Sequence, residues 1–411
     1  VSSGRSGFSN LMIRPASPAL VLLIGGVFAF GPLATDMFVV AMPTVARAFA
    51  VEPLVIQGTM SLYLVFFAIG QLVWGPVSDR FGRKPAMVAG ILVFALGSGL
   101  SALAPNVEVF TAARCLQAFG VAYGQVLGRA VMRDLHSPLG TTRMIAFATS
   151  IMGMTSMTSP IFGGYLLVTL GWQAVFAFHV FYAALILLMV SLFLQETVPQ
   201  KNPRAIQLFQ TFANFGKLLK SRLFVGYTMM LCCMFGFLFT MLSASAFIFI
   251  EYLGVRTENF GFLFTATGAV FITASFSVGV IGKRIAQPRL MLWASVWACL
   301  SGVGGVIVAA LGGGAVPITI ALMCVSWAMG FILPLSFSGA LAPNPHMAGT
   351  ASSLFGFVQG FFSAGMALLV GVIDNGTAIP MMAQIAVLTS GAMLTYLFVI
   401  RPEQKRMAAP A

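Results

Sequence analysis

Charge is the scarcest commodity in this chain. Charged residues make up 8% of its 411 positions and acids number only 10, whereas soluble globular domains carry about a quarter charged residues. That excludes a water-soluble globular fold. Histidine is rarer still: His136, His179 and His346 stand far apart, with none of the spacing of a metal site. The five cysteines, Cys115, Cys232, Cys233, Cys299 and Cys324, all fall in apolar runs without metal-ligand spacing and read as small packing residues. No Ser/His/Asp nucleophile set and no phosphate-binding loop is apparent, so neither an enzyme nor a cofactor is expected.

Apolar residues fill the space that charge leaves. They make up 59% of the chain, and the mean hydropathy is +0.97. The runs are about twenty residues or longer, enough for a helix to cross about 30 Å of hydrocarbon, where barrel strands would show short alternating segments. The expected fold class is therefore all-α integral membrane, with twelve spans at 18–46, 54–78, 85–104, 108–133, 142–170, 173–194, 222–250, 259–282, 289–311, 315–341, 347–373 and 378–400. The longest polar interruption, 195–221, divides them into an N-terminal six-helix bundle, 18–194, and a C-terminal one, 222–400, with tails at 1–17 and 401–411. ATSIMG at Ala148 returns as ASSLFG at Ala351, in the fifth span of each half, which suits a duplicated bundle. Arg14 precedes a first span too long for a signal peptide, so that span is expected to stay in the fold behind a disordered VSSGRSGFSN.

Orientation follows from the basic residues, because cytoplasmic loops retain Lys and Arg. With both termini inside, eighteen of the 22 lysines and arginines fall on the cytoplasmic side, among them Arg80, Arg83, Lys84, Arg133, Lys201, Arg204, Lys217, Lys220 and Arg222. Arg47 and Arg256 fall outside, and Arg114 and Arg129 lie within spans. The net charge of +12 is thus dispersed over short loops beside anionic lipid headgroups rather than gathered for nucleic acid. An inner-membrane, multi-pass monomer is expected.

The most specific stretch is GPVSDRFGRKP, Gly75 to Pro85, a tight loop between the second and third spans. Gly75 and Gly82 permit close backbone approach, and Arg80, Arg83 and Lys84 hold the loop inside. At this spacing it resembles the signature loop of the major facilitator superfamily. The resemblance implies that Asp79 caps a helix of the second half, that Arg83 pairs with Asp134 in RAVMRD at the end of the fourth span, and that these contacts gate the cytoplasmic side. RCLQAFG, Arg114 to Gly120, is similar to the superfamily's buried-arginine motif. SPIFGG, carrying Ser159, Pro160, Gly163 and Gly164, resembles the antiporter motif of drug exporters, with Ser159 where that motif usually has glycine. Pro160 removes a helix hydrogen bond and Gly163 and Gly164 admit a neighbouring helix, so the fifth span is expected to bend and seal there. FGPLATDMFVVAMP, Phe30 to Pro43, and GRAVMRDL resemble the bicyclomycin and chloramphenicol exporter (Bcr/CflA) branch of the drug:proton antiporters. In the second half, GVIGKRIAQPR at Gly279 is at most a degenerate copy of the signature loop.

Among the ten acids, Asp36 alone lies well inside a span. An ionised group at a helix centre costs roughly 2.5–3.5 kcal/mol or more, so it usually faces a cavity or a partner. At about 1.5 Å per residue, Asp36 lies some 25–30 Å up the first span and Arg114 about 30 Å up the fourth. Both spans line the central cavity in the resembling family, so an Asp36–Arg114 interaction, direct or through water, is an expectation. Two readings stay open: a static pair that fixes packing, and a titrating site whose surroundings change between outward and inward states, with Arg114 tuning Asp36. Arg129 is expected to serve structure by snorkelling. Candidates for a cavity lining are Tyr63, Gln71, Tyr123, Gln125, Met154, Phe235, Phe239 and Gln359, a mixture that suits neutral or amphipathic organic molecules. The resemblance implies proton-coupled export of such compounds. A same-fold metabolite or amino-acid exporter, or an uptake symporter, is the nearest alternative, and an intramembrane enzyme or sensor the next.

Overall fold

The computed structural model describes residues 18–135, 138–198, 216, 218–282, 284–341 and 348–408, and everything below concerns these residues. The tail at 1–17, most of the central loop, Lys217, Lys283, His136 and His346 lie outside them. No strand occurs among the described residues. The helices are α1 (Pro18–Ala48), α2 (Pro53–Phe81), α3 (Arg83–Ala102), α4 (Val107–Val121), α5 (Tyr123–Leu135), α6 (Pro138–Leu170) and α7 (Trp172–Phe193). They continue with α8 (Arg222–Ala246), α9 (Thr257–Ile281), α10 (Gln287–Ala310), α11 (Ala315–Leu341), α12 (Ala348–Val372), α13 (Ile379–Thr395) and α14 (Arg401–Ala408). Eleven candidate spans are long and apolar enough to cross a membrane. The fourth of the twelve expected spans is the exception, because it is broken at Ala122 into α4 and α5, each too short to cross alone. The chain is a multi-span membrane protein with the twelve helical passes its apolar runs require.

Three features differ from the expected spans. α8 and α13 each end in a wider π turn, Phe247–Tyr252 and Tyr396–Ile400, where Leu253 donates its backbone N–H five residues back to Ile248 O at 2.9 Å. Arg401–Ala408, within the stretch expected as a tail, is helical as α14, where Glu403 and Arg406 pair at 3.3 Å. Pro160 neither ends nor divides α6, which runs through it from Pro138 to Leu170.

The ends of the elements have local causes. Asn106 caps α4 by accepting the Val109 N–H at 2.9 Å, and Ser221 caps α8 by accepting that of Phe224 at 3.4 Å. α2 and α3 are separated by one residue, Gly82, at φ 113°, a conformation that favours glycine. By backbone proximity the chain forms two compact units, and α1 and α2 belong to both: one unit takes α1 as far as Phe38 and resumes at Leu62, and the other includes Val39–Ser61 and begins again in the central loop. In the first, α3 packs along α4 and α7. In the second, α8 packs against α11, α12 and α13, while α11 also holds α9 and α10.

Candidate functional site

α1 carries Asp36 into the interior of the first unit, where only 4% of the residue stays exposed. Three hydroxyls surround its carboxylate. Thr35 Oγ1 donates to Oδ1 at 2.8 Å, Ser156 Oγ to Oδ2 at 2.6 Å, and Ser159 Oγ reaches Oδ2 at 3.5 Å. Ser156 and Ser159 are three residues apart on α6, hence on one face of that helix. α6 comes this close because Gly163, a turn further on, faces α1: a Cβ there would lie 3.0 Å from the Met37 Cα. SPIFGG thus supplies both a hydroxyl to Asp36 and the glycine that brings that hydroxyl near.

Arg114 is fully enclosed, and its partners come from four helices. Its guanidinium carbon lies 4.2 Å from the centre of the Phe38 ring, 4.3 Å from Tyr63 and 5.7 Å from Phe176. Nη1 donates to Ala34 O at 3.2 Å and to Gln117 Oε1. Nε and Nη2 find no hydrogen-bond partner, and neither does the Tyr63 hydroxyl. No ion pair joins Arg114 to Asp36: the cation stacks between aromatic faces while the acid is held by hydroxyls. The direct form of the expected interaction is therefore absent: Asp36 bonds to hydroxyls, and Arg114 to Ala34 O and Gln117 beneath its aromatic neighbours. Gln117, the fourth residue of RCLQAFG, extends this cluster by donating Nε2 to Ser98 Oγ at 2.7 Å, with His179 Nδ1 at 3.3 Å.

The stretch Gly75 to Pro85, expected as a loop, is helical on both sides of Gly82 and forms a second polar cluster. Arg83 Nε donates to Asp134 Oδ2 at 2.9 Å, the pairing that the motif resemblance implies, and Nη1 donates to Asp79 and to Ser78 Oγ. Asp79, near the end of α2, pairs here with Arg83 at the start of α3. Glu196, beyond the end of α7, completes the cluster in a way the loop's own sequence does not announce. Its Oε1 accepts the Arg83 N–H at 2.9 Å, and Lys84 Nζ donates to Ser191 O at 2.7 Å. The carboxylate thus sits at the positive end of α3. Replacing Glu196 by alanine is expected to cost about 1 kcal/mol, a typical cap loss, and to lower Tm by about 1 °C in a chain of this size; thermal unfolding of the purified protein measures this.

The cavity-lining candidates separate into groups. Tyr63 and Tyr123 are fully enclosed, which corrects their expected place on an open lining: Tyr63 stacks on Arg114, and Tyr123 packs edge-on against Phe30 and Trp74. Gln71, Gln125, Phe235, Phe239 and Gln359 are half-buried and Met154 is exposed. Arg129 donates to the carbonyl and side chain of Gln125 on its own helix, at 2.8 and 3.2 Å. Ser156, Gln117, His179 and Glu196 are the residues that sequence reasoning missed. The one available signal was the pair of hydroxyls three apart just before Pro160.

A model of the family described as Major Facilitator Superfamily matches residues 22–368. The chain belongs to the major facilitator superfamily. The transporter is 29% identical to the bicyclomycin resistance protein homolog of Haemophilus influenzae, over 92% of this chain and 95% of that one. It is 28% identical to a chloramphenicol resistance protein of Pseudomonas aeruginosa, over 90% of this chain and 88% of the relative. These relatives are of the Bcr/CflA type that its motifs resemble. Among solved structures, the xylose transporter XylE of Escherichia coli superposes with a TM-score of 0.73 at 13% identity, covering 93% of this chain and 97% of XylE, a likeness of fold alone.

Proposed function

We propose that this transporter exports small organic compounds, antibiotics among them, across the inner membrane in exchange for protons, by alternating access. Asp36 is the proton carrier and Arg114 tunes it. The observation that carries this reading is the carboxylate's shell: three hydroxyls and no cation. A hydroxyl can donate to a carboxylate and, after rotating, accept from a carboxylic acid, so one shell serves both protonation states. A salt bridge would instead lock the ionised form. The relatives' names, bicyclomycin and chloramphenicol resistance proteins, support organic antibiotics as the substrate class.

The same proposal takes 18–194 and 222–400 as two six-helix bundles, with both termini and the loop 195–221 cytoplasmic, in a monomer. Gly75, Asp79, Arg80, Gly82, Arg83, Lys84 and Asp134 form the cytoplasmic gate, and Ser159, Pro160, Gly163 and Gly164 the antiporter motif. Gln71, Gln125, Met154, Phe235, Phe239 and Gln359 are the substrate-facing residues.

The test is a panel of antibiotics, dyes and metabolites in proteoliposomes holding an imposed pH gradient, paired with resistance assays in a host lacking its own exporters. Accumulation against the proton gradient, with proton release on substrate addition, is the expected result. Gradient-independent flux, or flux in the same direction as protons, would instead establish a uniporter or symporter.

A further inference from the structure

Two successive carbonyls of α1, immediately ahead of Thr35 and Asp36, are each taken by a side chain from another helix. Arg114 Nη1 holds Ala34 O at 3.2 Å, and His179 Nε2, from α7, holds Leu33 O at 3.0 Å. His179 is fully enclosed, with its ring among those of Phe94, Phe176 and Phe178 at centroid distances of 6.0, 5.8 and 6.5 Å.

Its protonation pattern follows from its neighbours, step by step. A guanidinium offers only donors, so the Gln117 amide must turn its oxygen towards Arg114. The amide nitrogen then faces Ser98 and His179 Nδ1. An NH₂ group only donates, so Nδ1 accepts. A carbonyl only accepts, so Nε2 carries the hydrogen to Leu33. The ring is neutral, and Arg114 selects its tautomer through Gln117. A second ring proton would point at the amide hydrogens and break the chain of bonds.

We infer that His179 is a positioning residue for the coupling acid: as a neutral Nε2–H imidazole it holds α1 at Leu33, so that Asp36 meets Ser156 and Ser159. The inference rests on the reading of Asp36 as the proton carrier. The groups facing the ring are Arg114 by way of Gln117, the Ser98 hydroxyl on the same amide, and three aromatic rings. Among the described residues no carboxylate bonds to it. His179 and Arg114 thus grip α1 at neighbouring carbonyls and are joined to each other, so a change in how Arg114 is held reaches α1 by two routes.

The test uses the full chain in proteoliposomes, with chloramphenicol and bicyclomycin as the probes. His179→Leu, similar in size but unable to make either bond, is expected to cut probe-induced proton release about tenfold, within the usual range of coupling between sites. His179→Gln, whose amide can donate to Leu33 and accept from Gln117, is expected to restore at least half of it. Unchanged release in His179→Leu overturns the inference, as does failure of the glutamine variant to exceed the leucine one. A second reading needs no folded His179 variant. In protein carrying His136→Gln and His346→Gln, the single ¹⁵N-labelled histidine is expected to show a neutral Nε2–H ring that stays unprotonated between about pH 5 and 8, the range in which a free imidazole titrates. An Nδ1–H tautomer or ordinary titration overturns the inference. Normal release from Asp36→Asn would remove the coupling assignment, and the positioning role with it, while leaving the tautomer measurement intact, so the two failures are distinguishable.

Discussion

Replacing Asp36 by asparagine is expected to abolish gradient-driven accumulation while leaving a folded protein. Asparagine has the size of aspartate and can bond to Thr35, Ser156 and Ser159, so the packing of α1 on α6 is retained. What it cannot do is gain or lose a proton. One proton moving through 100 mV releases about 2.3 kcal/mol, enough for a roughly fifty-fold gradient of a neutral substrate. Accumulation should therefore fall from that order to about onefold, as uncoupled exchange leaves the two sides equal. Substrate-induced proton release from the purified protein, followed with a pH-sensitive dye, is the direct measurement. Release equal to that of the unmodified protein would remove Asp36 from the mechanism, whatever its surroundings.

Arg114→Met is expected to end transport without unfolding the protein, and this dissociation is the informative part. The guanidinium is fully enclosed with Nε and Nη2 unpartnered, and each such buried donor costs about 1–3 kcal/mol. Against this stand its stacking on Phe38 and Tyr63, worth up to about 2 kcal/mol per ring when desolvated, and its bonds to Ala34 and Gln117. The terms nearly cancel, and an apolar side chain of similar length removes the unpartnered donors together with the contacts that offset them. Methionine should therefore shift Tm by less than about 5 °C while reducing coupled transport about 100-fold, near the upper end of coupling energies. A collapse in Tm would make Arg114 a structural residue. Transport near the original rate would dissociate it from coupling altogether.

Most of the fold was legible because hydrophobic length is a one-dimensional property. A run that can cross the bilayer must be helical, so the spans followed from counting. The break at Ala122, the π turns after Ala246 and Thr395, and the helix at Arg401–Ala408 were not legible: Gly120 and Gly124 flank the first and Pro402 opens the last, but single glycines and prolines are frequent in membrane helices. In the site, Asp36 and Arg114 were conspicuous because charge in an apolar run is costly. Their lack of contact was not, because helix rotation is invisible in sequence and Phe38 looked like any core aromatic. Ser156, Gln117 and His179 are common polar residues that acquire meaning only when three other helices bring α1 to them. Glu196 was hidden by distance: it meets Arg83 across 113 positions of chain.

Gly31 lies one turn before Thr35, its carbonyl oxygen 3.0 Å from the Thr35 hydroxyl as an alternative acceptor for that single hydrogen, and a Cβ built at position 31 would meet nothing within 4 Å. That vacancy offers an attachment point. A side chain at position 31 can therefore start without meeting a neighbour, and a cysteine there is a candidate point for attaching a probe near the Asp36 shell. Cys115, Cys232 and Cys233 are buried, while Cys299 and Cys324 are half-buried like position 31, so selective labelling there requires those two native thiols to be replaced. The chain thereby provides a place from which the protonation and hydration of Asp36 can be watched in real time.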